Sequence, residues 1–431
     1  MKIHFKIILA IIFLFTSHSC SKTTEISATP NAVVDKPTTP ITTNPIVVDK
    51  FETGDGFTSS VLASEIDADG KLICAGIFRS FNNKNVNFLV RLNKDGSLDS
   101  TFIAPKEINS WIRDIILQAD GKLIVGGDNS ILFRLNKDGS IDNSFNTGKG
   151  FSFSGLGYDN SYVSSGNSYL KGADIMQLIA NKDGSFFALG SFDNYNSKMV
   201  TYGIIKLKSD GIIDETFTPN MIINGISSYK STSLLPNGNL LISNMGLQDY
   251  TYRFPIAITQ NGIIDTLTYK SIGEKSNHSN NYPSIITSAV QNDGKIIFGG
   301  GFTNIKGVSV NNIVRIQVNG SIDESFNIGS GFNDVVQKIQ LQSDGKILVA
   351  GQFTKYNNSN QNHLVRLNTD GSIDNTFNSG LGFTNLQNTG LGDVSNFNFR
   401  SDGKIFITGG FSYYNGTKQH FVVRINPDGS L

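Results

Sequence analysis

Side chains able to do chemistry are sparse in this sequence. The histidines, His4, His18, His278, His363 and His420, form no metal-binding cluster, and neither a Gly-x-Ser-x-Gly elbow nor a phosphate loop occurs. Paired carboxylates can hydrolyse or eliminate glycosidic bonds, and Asp159, Asp174, Asp249 and Glu274 fall in long irregular segments suited to that work. Acids are common in such segments, so these assign no reaction. Asp67-Ala68-Asp69-Gly70 carries only a fragment of the spacing with which a loop wraps calcium. No catalytic residue, metal or cofactor is assigned.

Binding chemistry is better represented. Tyr158, Tyr162, Tyr169, Tyr195, Tyr250, Tyr252, Tyr282, Tyr356, Tyr413 and Tyr414 stand among Asn, Ser and Gly, a composition that predicts exposed loops. A tyrosine ring offers flat apolar area with a polar tip, useful for stacking on sugars or protein partners. Taken singly, each ring more readily pins its own loop to the scaffold; as a set they favour a binding surface.

The elements that must position these groups repeat. Asp-Gly or Asn-Gly recurs as a first turn at Asp69, Asp120, Asp183, Asn237, Asp293, Asp344 and Asp402. A second recurs at Asp95, Asp138, Asp210, Asn261, Asn319, Asp370 and Asp428. Such dipeptides favour type I′ hairpins, whose two central residues need positive φ. The flanking runs alternate apolar and polar residues, the period of a strand. Successive first turns lie 51, 63, 54, 56, 51 and 58 residues apart. Each unit therefore reads as four antiparallel strands, and seven units predict an all-β, seven-bladed β-propeller.

The chain stops at Asp428-Gly429-Ser430-Leu431, where the outer strand of the seventh unit should begin. Complete units continue as Phe145 to Phe151, Phe326 to Phe332 and Phe377 to Phe383, and the same pattern stands at Phe51 to Phe57. The N-terminal segment is thus expected to complete the last blade and close the ring, hiding a sheet edge.

Arg91, Arg134, Arg315, Arg366 and Arg424 recur before the second turn, and Asp99, Asp142, Asp214, Asp265, Asp323 and Asp374 after it. A residue repeated in every unit serves the unit, whereas a single site breaks the symmetry. Arg–Asp bridging is the expectation, in preference to a ring of charge around a pore. Trp111 and Arg113 do break the symmetry, since they align with Val335 and Gln337 of the sixth unit. The candidate ligand-binding set is Trp111, Arg113, Tyr158, Tyr195, Tyr250, Tyr252, Tyr356, Tyr413 and Tyr414.

The sequence of Arg-Leu-Asn, Asp-Gly-Ser, Asp and Phe, then Gly-x-Gly-Phe, Gln-x-Asp-Gly-Lys and Gly-Gly-x-Phe resembles the delta-sixty repeat family of bacterial β-propellers. The resemblance covers Val47 to Leu431, with departures at Lys206 and Ala257 where other units carry arginine. It implies a propeller on a secreted or surface protein and supplies no catalytic residues.

Lys2 and Lys6 flank a short apolar run, Ile7 to Phe15, that fits a signal-peptide core and is too short to span a bilayer. Cys20 then resembles the lipidated cysteine of a bacterial lipoprotein signal, with Ser17 departing from the apolar residue usual at its position. Residues 20–46 are rich in Ser, Thr and Pro and predict a disordered tether ahead of the propeller at 47–431. Thirty-six basic residues balance 36 acidic ones, so no overall field favours nucleic acid. With Cys20 acylated only Cys74 remains, as a buried thiol outside any disulfide.

The expected protein is a monomer held in the bacterial cell envelope, through acyl chains on Cys20 in the outer membrane, with its ligand face made of the long loops. Its ligand would be a glycan or a protein. A polysaccharide lyase or hydrolase on the same face, and a purely structural envelope protein, are the alternatives.

Overall fold

The computed structural model describes residues 49–153, 173–200, 203–219, 232–243, 255–265, 284–305, 307–384 and 393–431. Cys20 and the leader and tether around it lie outside the described residues, as do Tyr158, Tyr250 and Tyr252.

Every strand pairing among the described residues is antiparallel, and no helix occurs among them. Each first turn joins an inner strand to a fully buried second one. Leu72–Gly76, Leu123–Gly127, Ile347–Gly351 and Ile405–Gly409 are buried throughout, and apolar but for Thr408, because both their faces are covered by neighbouring sheets. The inner strands stand side by side in the order Val61–Ile66, Ile112–Leu117, Asp174–Ala180, Thr232–Leu234, Ser284–Val290, Val336–Leu341 and Val394–Phe399. The last of them returns to pack on the first. This closed arrangement of sheets around a channel is a β-propeller.

The core lies between sheets rather than within any one. Ile73, Ala75 and Leu89 of the first unit meet Ile112, Ile115 and Leu123 of the second in one buried cluster. Phe406 and Val422 of the last unit meet Phe57, Val61 and Leu72 in another. Each fully buried aliphatic or aromatic side chain contributes roughly 1.5–3 kcal/mol, so these interfaces dominate stability.

Most sheets hold three strands where four were expected. The outer strand shrinks to a single bridge, Leu92 to Leu98, Leu135 to Ile141, Leu207 to Ile213, Ile316 to Ile322 and Leu367 to Ile373. Among the described residues only the sheet from Thr232 to Asp265 pairs a fourth strand, over two residues. The aspartate just past the bridge is the cause. Asp374 Oδ1 accepts both the backbone N–H and the hydroxyl of Thr376, at 3.0 and 2.6 Å, which turns the chain away from the ladder.

The same aspartates bind the repeated arginines. Arg91, Arg134, Arg315 and Arg366 each donate Nε to the carboxylate eight residues later, at 2.6 to 2.7 Å. A lysine from after the first turn joins at the same oxygen, as Lys346 does on Asp374 at 2.9 Å. The arginine's Nη1 reaches a carbonyl of the next unit, Thr369 O for Arg315 and Pro427 O for Arg366, each at 2.6 Å. Its guanidinium also lies over a phenylalanine, such as Phe326 at 4.5 Å from Arg315. In the third unit Lys206 takes the arginine's place, 3.0 Å from Asp214. These charges therefore lace neighbouring units together and do not ring the channel.

Candidate ligand site at the channel mouth

In the first, third, fifth, sixth and seventh units the connection after the buried strand is a small hairpin that the sequence reading left as loop. Its turn is Asn82-Asn83, Asn196-Ser197, Asn357-Asn358 or Asn415-Gly416, with φ between 45° and 75° at every one of these residues. Positive φ at both positions is the type I′ signature, for which asparagine and glycine are suited. The strands are only two residues long, as in Lys355–Tyr356 and Ser359–Asn360.

These hairpins overturn part of the expected aromatic surface. Tyr195, Tyr356 and Tyr414 are buried, and each hydroxyl donates to a carbonyl at 2.6 Å: Gly211, Gly371 and Gly429. Their rings pack against Phe151, Phe332 and Phe383 of the Gly-x-Gly-Phe segments. Burial also raises the three phenols above their ordinary range. They are struts that leave no face to a ligand. The turn asparagine completes the latch, since Asn357 Oδ1 accepts the Ser330 N–H at 3.2 Å. A Cβ on Gly329 would lie 2.0 Å from that same oxygen, which is why this position is glycine. Tyr413, by contrast, is half-buried beside the Tyr414 strut.

What remains open is the mouth of the channel at the hairpin end. Six inner strands carry a β-bulge at the same place, between Val61 and Ala63, Ile112 and Asp114, Ile175 and Gln177, Ile285 and Thr287, Val336 and Lys338, and Val394 and Asn396. A bulge inserts one unpaired residue and re-aims its side chain. The bulged residues are Leu62, Arg113, Met176, Ile286, Gln337 and Ser395, and all six line one cavity of 740 Å³. That volume lies in the range of small-molecule sites. The backbone irregularity is repeated in each of these units while the displayed side chain differs in all of them. By the symmetry argument this ring is the candidate site.

Arg113 and Trp111 stand together at the rim. Arg113 donates Nε and Nη2 to the two oxygens of Asp128, at 2.6 and 3.0 Å, and its guanidinium lies 5.3 Å from the centre of the Trp111 ring. Trp111 remains 41% exposed, unusual for so large an apolar ring. In this unit the hairpin gives way to a turn at Asp128-Asn129-Ser130. Asn129 N–H donates to Asp174 Oδ1 at 3.0 Å, and burial raises the Asp174 carboxyl despite that bond. Across the mouth Gln337 Nε2 donates to Asp393 Oδ1 at 2.6 Å.

One step deeper the wall carries charge. Burial pushes the Glu65 carboxyl up to about 7, with Asp114 adding to the shift, and pushes Asp114 up to about 6. Lys338 lies opposite and is lowered by burial, against the attraction of Asp114 and Glu65. Asp114 also has a structural task, accepting the N–H groups of Leu178 and Ile115 at 2.8 and 2.9 Å. Sequence reasoning passed over Glu65, Asp114 and Lys338, although their positions differ in type from unit to unit, a signal of the kind that singled out Arg113. Cys74 is fully buried and its thiol is raised by that burial.

Five stretches, 68–102, 118–145, 291–326, 342–377 and 400–431, match the model of a family described as a domain of unknown function (DUF5122) β-propeller. No curated protein matches the sequence. Among solved structures, the WD40 β-propeller domain of Doa1 is similar at 12% identity and a TM-score of 0.49, over 86% of this chain and 93% of that one. Selenomethionine-substituted virginiamycin B lyase from Staphylococcus aureus is similar at 16% identity and a TM-score of 0.43, over 75% and 85%. YCF48 bound to D1 peptide is similar at 12% identity and 0.47, over 86% and 94%. These likenesses carry neither ligand nor reaction to this chain.

Proposed function

We propose that this protein is an extracytoplasmic binding module, taking a glycan or protein ligand on the face where the channel mouth opens. The reading includes a seven-bladed ring on a four-strand plan, with the N-terminal segment completing the last blade. It includes a bacterial lipoprotein anchor at Cys20, with residues 20–46 as the tether that holds the propeller off an outer membrane.

The observation that carries the binding role is the ring of bulges. Leu62, Met176 and Ile286 offer an apolar arc, while Arg113, Gln337 and Ser395 offer a polar one. Ligand sites are commonly built from apolar lining with a few placed polar groups. Trp111 extends the surface with an exposed ring. The carboxyls at the rim are engaged: Asp128 with Arg113, Asp393 with Gln337, Asp174 with Asn129. That engagement favours binding over glycosidic cleavage by a carboxylate pair at the rim.

Glycan arrays and pull-downs from envelope extracts, run with wild-type protein and with Trp111→Ala and Ile286→Trp variants, test this. A ligand captured by the wild type and lost by both variants is expected. Capture unaffected by either variant would remove the channel mouth as the site. Turnover of a polysaccharide by the wild type would favour the enzyme alternative.

A further inference from the structure

The ring of inner-strand residues just below the bulges is Ala63, Asp114, Gln177, Thr287, Lys338 and Asn396. Four of these tie one inner strand to the next. Asp114 accepts the N–H of Leu178 at 2.8 Å, and Thr287 Oγ1 accepts that of Ile339 at 3.0 Å. Gln177 donates to Thr232 O at 3.4 Å and Asn396 to Ser64 O at 2.8 Å. Lys338 makes no such bond. Among the described residues its amine has neither a hydrogen-bond acceptor nor a carboxylate within ion-pair distance. It is half-buried and lines the cavity beside Gln337 and Ile339. A long cationic side chain placed without a direct partner in a sequestered channel is costly unless the amine itself is used.

We propose that Lys338 is a nucleophilic amine that captures small aldehydes entering the channel mouth, forming a Schiff base. The step needs no oxidant or reductant. The neutral nitrogen attacks the carbonyl carbon, the C=O π pair moves to oxygen, and a proton passes from nitrogen to that oxygen to give the carbinolamine. Protonation of the hydroxyl expels water, the nitrogen lone pair forms C=N, and the remaining N–H proton is released. The balance is aldehyde plus amine giving imine plus water. A desolvated lysine is activated in this way because its neutral form is favoured. Burial acts on Lys338 in that direction, against the attraction of Asp114 and Glu65, and the proton passes between the amine, the developing hydroxyl and solvent water. Arg113 and Asp393 are the other charged groups on the cavity wall.

The inference rests on the reading of the channel mouth as the ligand site, and the experiment separates the two. Purified full-length protein is incubated with glycolaldehyde and cyanoborohydride near neutral pH, and modified lysines are mapped by mass spectrometry over time. Lys338 should be modified first. Its rate should exceed that of exposed Lys84 and Lys418 by about tenfold for each unit of pKa depression, the gain in free amine. Lys338→Gln should remove the fast phase. Glu65→Gln removes a charge that favours the protonated amine, so it should speed the fast phase in protein whose melting is intact, an effect a merely structural Glu65 would not have. Labelling of Lys338 no faster than Lys84 would overturn the proposal. If Lys338 is inert yet the captured ligand is lost in Ile286→Trp, the binding reading stands and the amine chemistry falls. If Lys338 labels fast while ligand capture ignores Ile286→Trp, the reverse holds.

Discussion

Arg424 and Asp49, 375 residues apart in sequence, are joined by a hydrogen bond from Arg424 Nη1 to Asp49 Oδ1 of 2.8 Å. The arrangement copies the arginine–aspartate link of the other units with the aspartate supplied from the far end of the chain. Lys404 also donates to Asp49, as Lys346 does to Asp374. The Arg424 guanidinium lies 5.6 Å from the Phe51 ring, where other units use their own phenylalanine. Glu52 N–H donates to Asp95 O at 2.8 Å, matching the bond from Asn327 to Asp370. The two ends are therefore held by the contacts that hold successive units.

Removing residues 49–57 should leave the last unit without its carboxylate and its phenylalanine. Broadened, less cooperative unfolding is expected in urea. Asp49→Asn alone should cost about 1–2 kcal/mol, below the figure for a buried pair because Asp49 is partly exposed. A truncated protein that melts like the intact one would show that these contacts are incidental.

Asp374→Asn should be more damaging. The side chains of Arg366 and Asp374 are only 7% and 5% exposed, so the variant strands a guanidinium in the core. A loss of about 3–5 kcal/mol is expected by denaturant titration. A loss under about 1 kcal/mol would mean that Arg366 finds another partner.

Stability should peak on the acid side of neutrality. Glu65 and Asp114 titrate higher folded than unfolded, so their contribution is complete below the ordinary carboxylate range. It is lost as pH rises through about 6 for Asp114 and about 7 for Glu65. Burial works against Asp374 and Asp323, but their hydrogen bonds from Thr376 and Ser325 and from lysine and arginine outweigh it and hold both below that range. Their contribution is present above the ordinary carboxylate range and lost as pH falls further. Glu65→Gln should flatten the slope of melting temperature between about pH 5 and 7. An unchanged slope would reject Glu65 as its source.

Tyr356→Phe should cost about 1 kcal/mol, the worth of one buried hydrogen bond together with a deprived Gly371 carbonyl. Ligand capture should be unaltered. Weakened capture with unaltered melting would return Tyr356 to the binding surface.

Cys20→Ala should escape processing at that site and lose the mature lipid anchor, since stable anchoring needs more than one acyl chain and lipoprotein processing would place them all on this cysteine. Metabolic labelling with a fatty-acid analogue and membrane fractionation read this directly. A soluble, unlipidated wild-type protein cleaved elsewhere would contradict the assignment.

The propeller was legible because its turns are spelled in Asp-Gly and Asn-Gly, although only the glycine carries the positive φ that a type I′ turn asks of both residues. The aspartate serves as an acceptor, as Asp370 does for the N–H and hydroxyl of Ser372. The hairpins bearing Tyr195, Tyr356 and Tyr414 were not, for a physical reason. A strand of two residues shows no alternation, and an Asn-rich stretch looks like loop whether or not its ring is buried. Arg113 could be found because one unit departs from its siblings. Lys338 could not be separated from the ordinary polar positions of a strand. An inner strand has one face against the next sheet and an edge on the channel, and only closure of the ring shows which residues meet there.

The bulges have a bearing on how this protein tolerates change. A residue placed outside the ladder by the backbone itself has no cross-strand partner to satisfy, so replacing Leu62, Met176, Ile286 or Ser395 should disturb the sheets little. On the reading proposed above, recognition and folding would be carried by different positions of the same strand. Combinatorial libraries confined to these bulge positions should yield mostly folded proteins of altered selectivity, leaving the scaffold as a reusable frame.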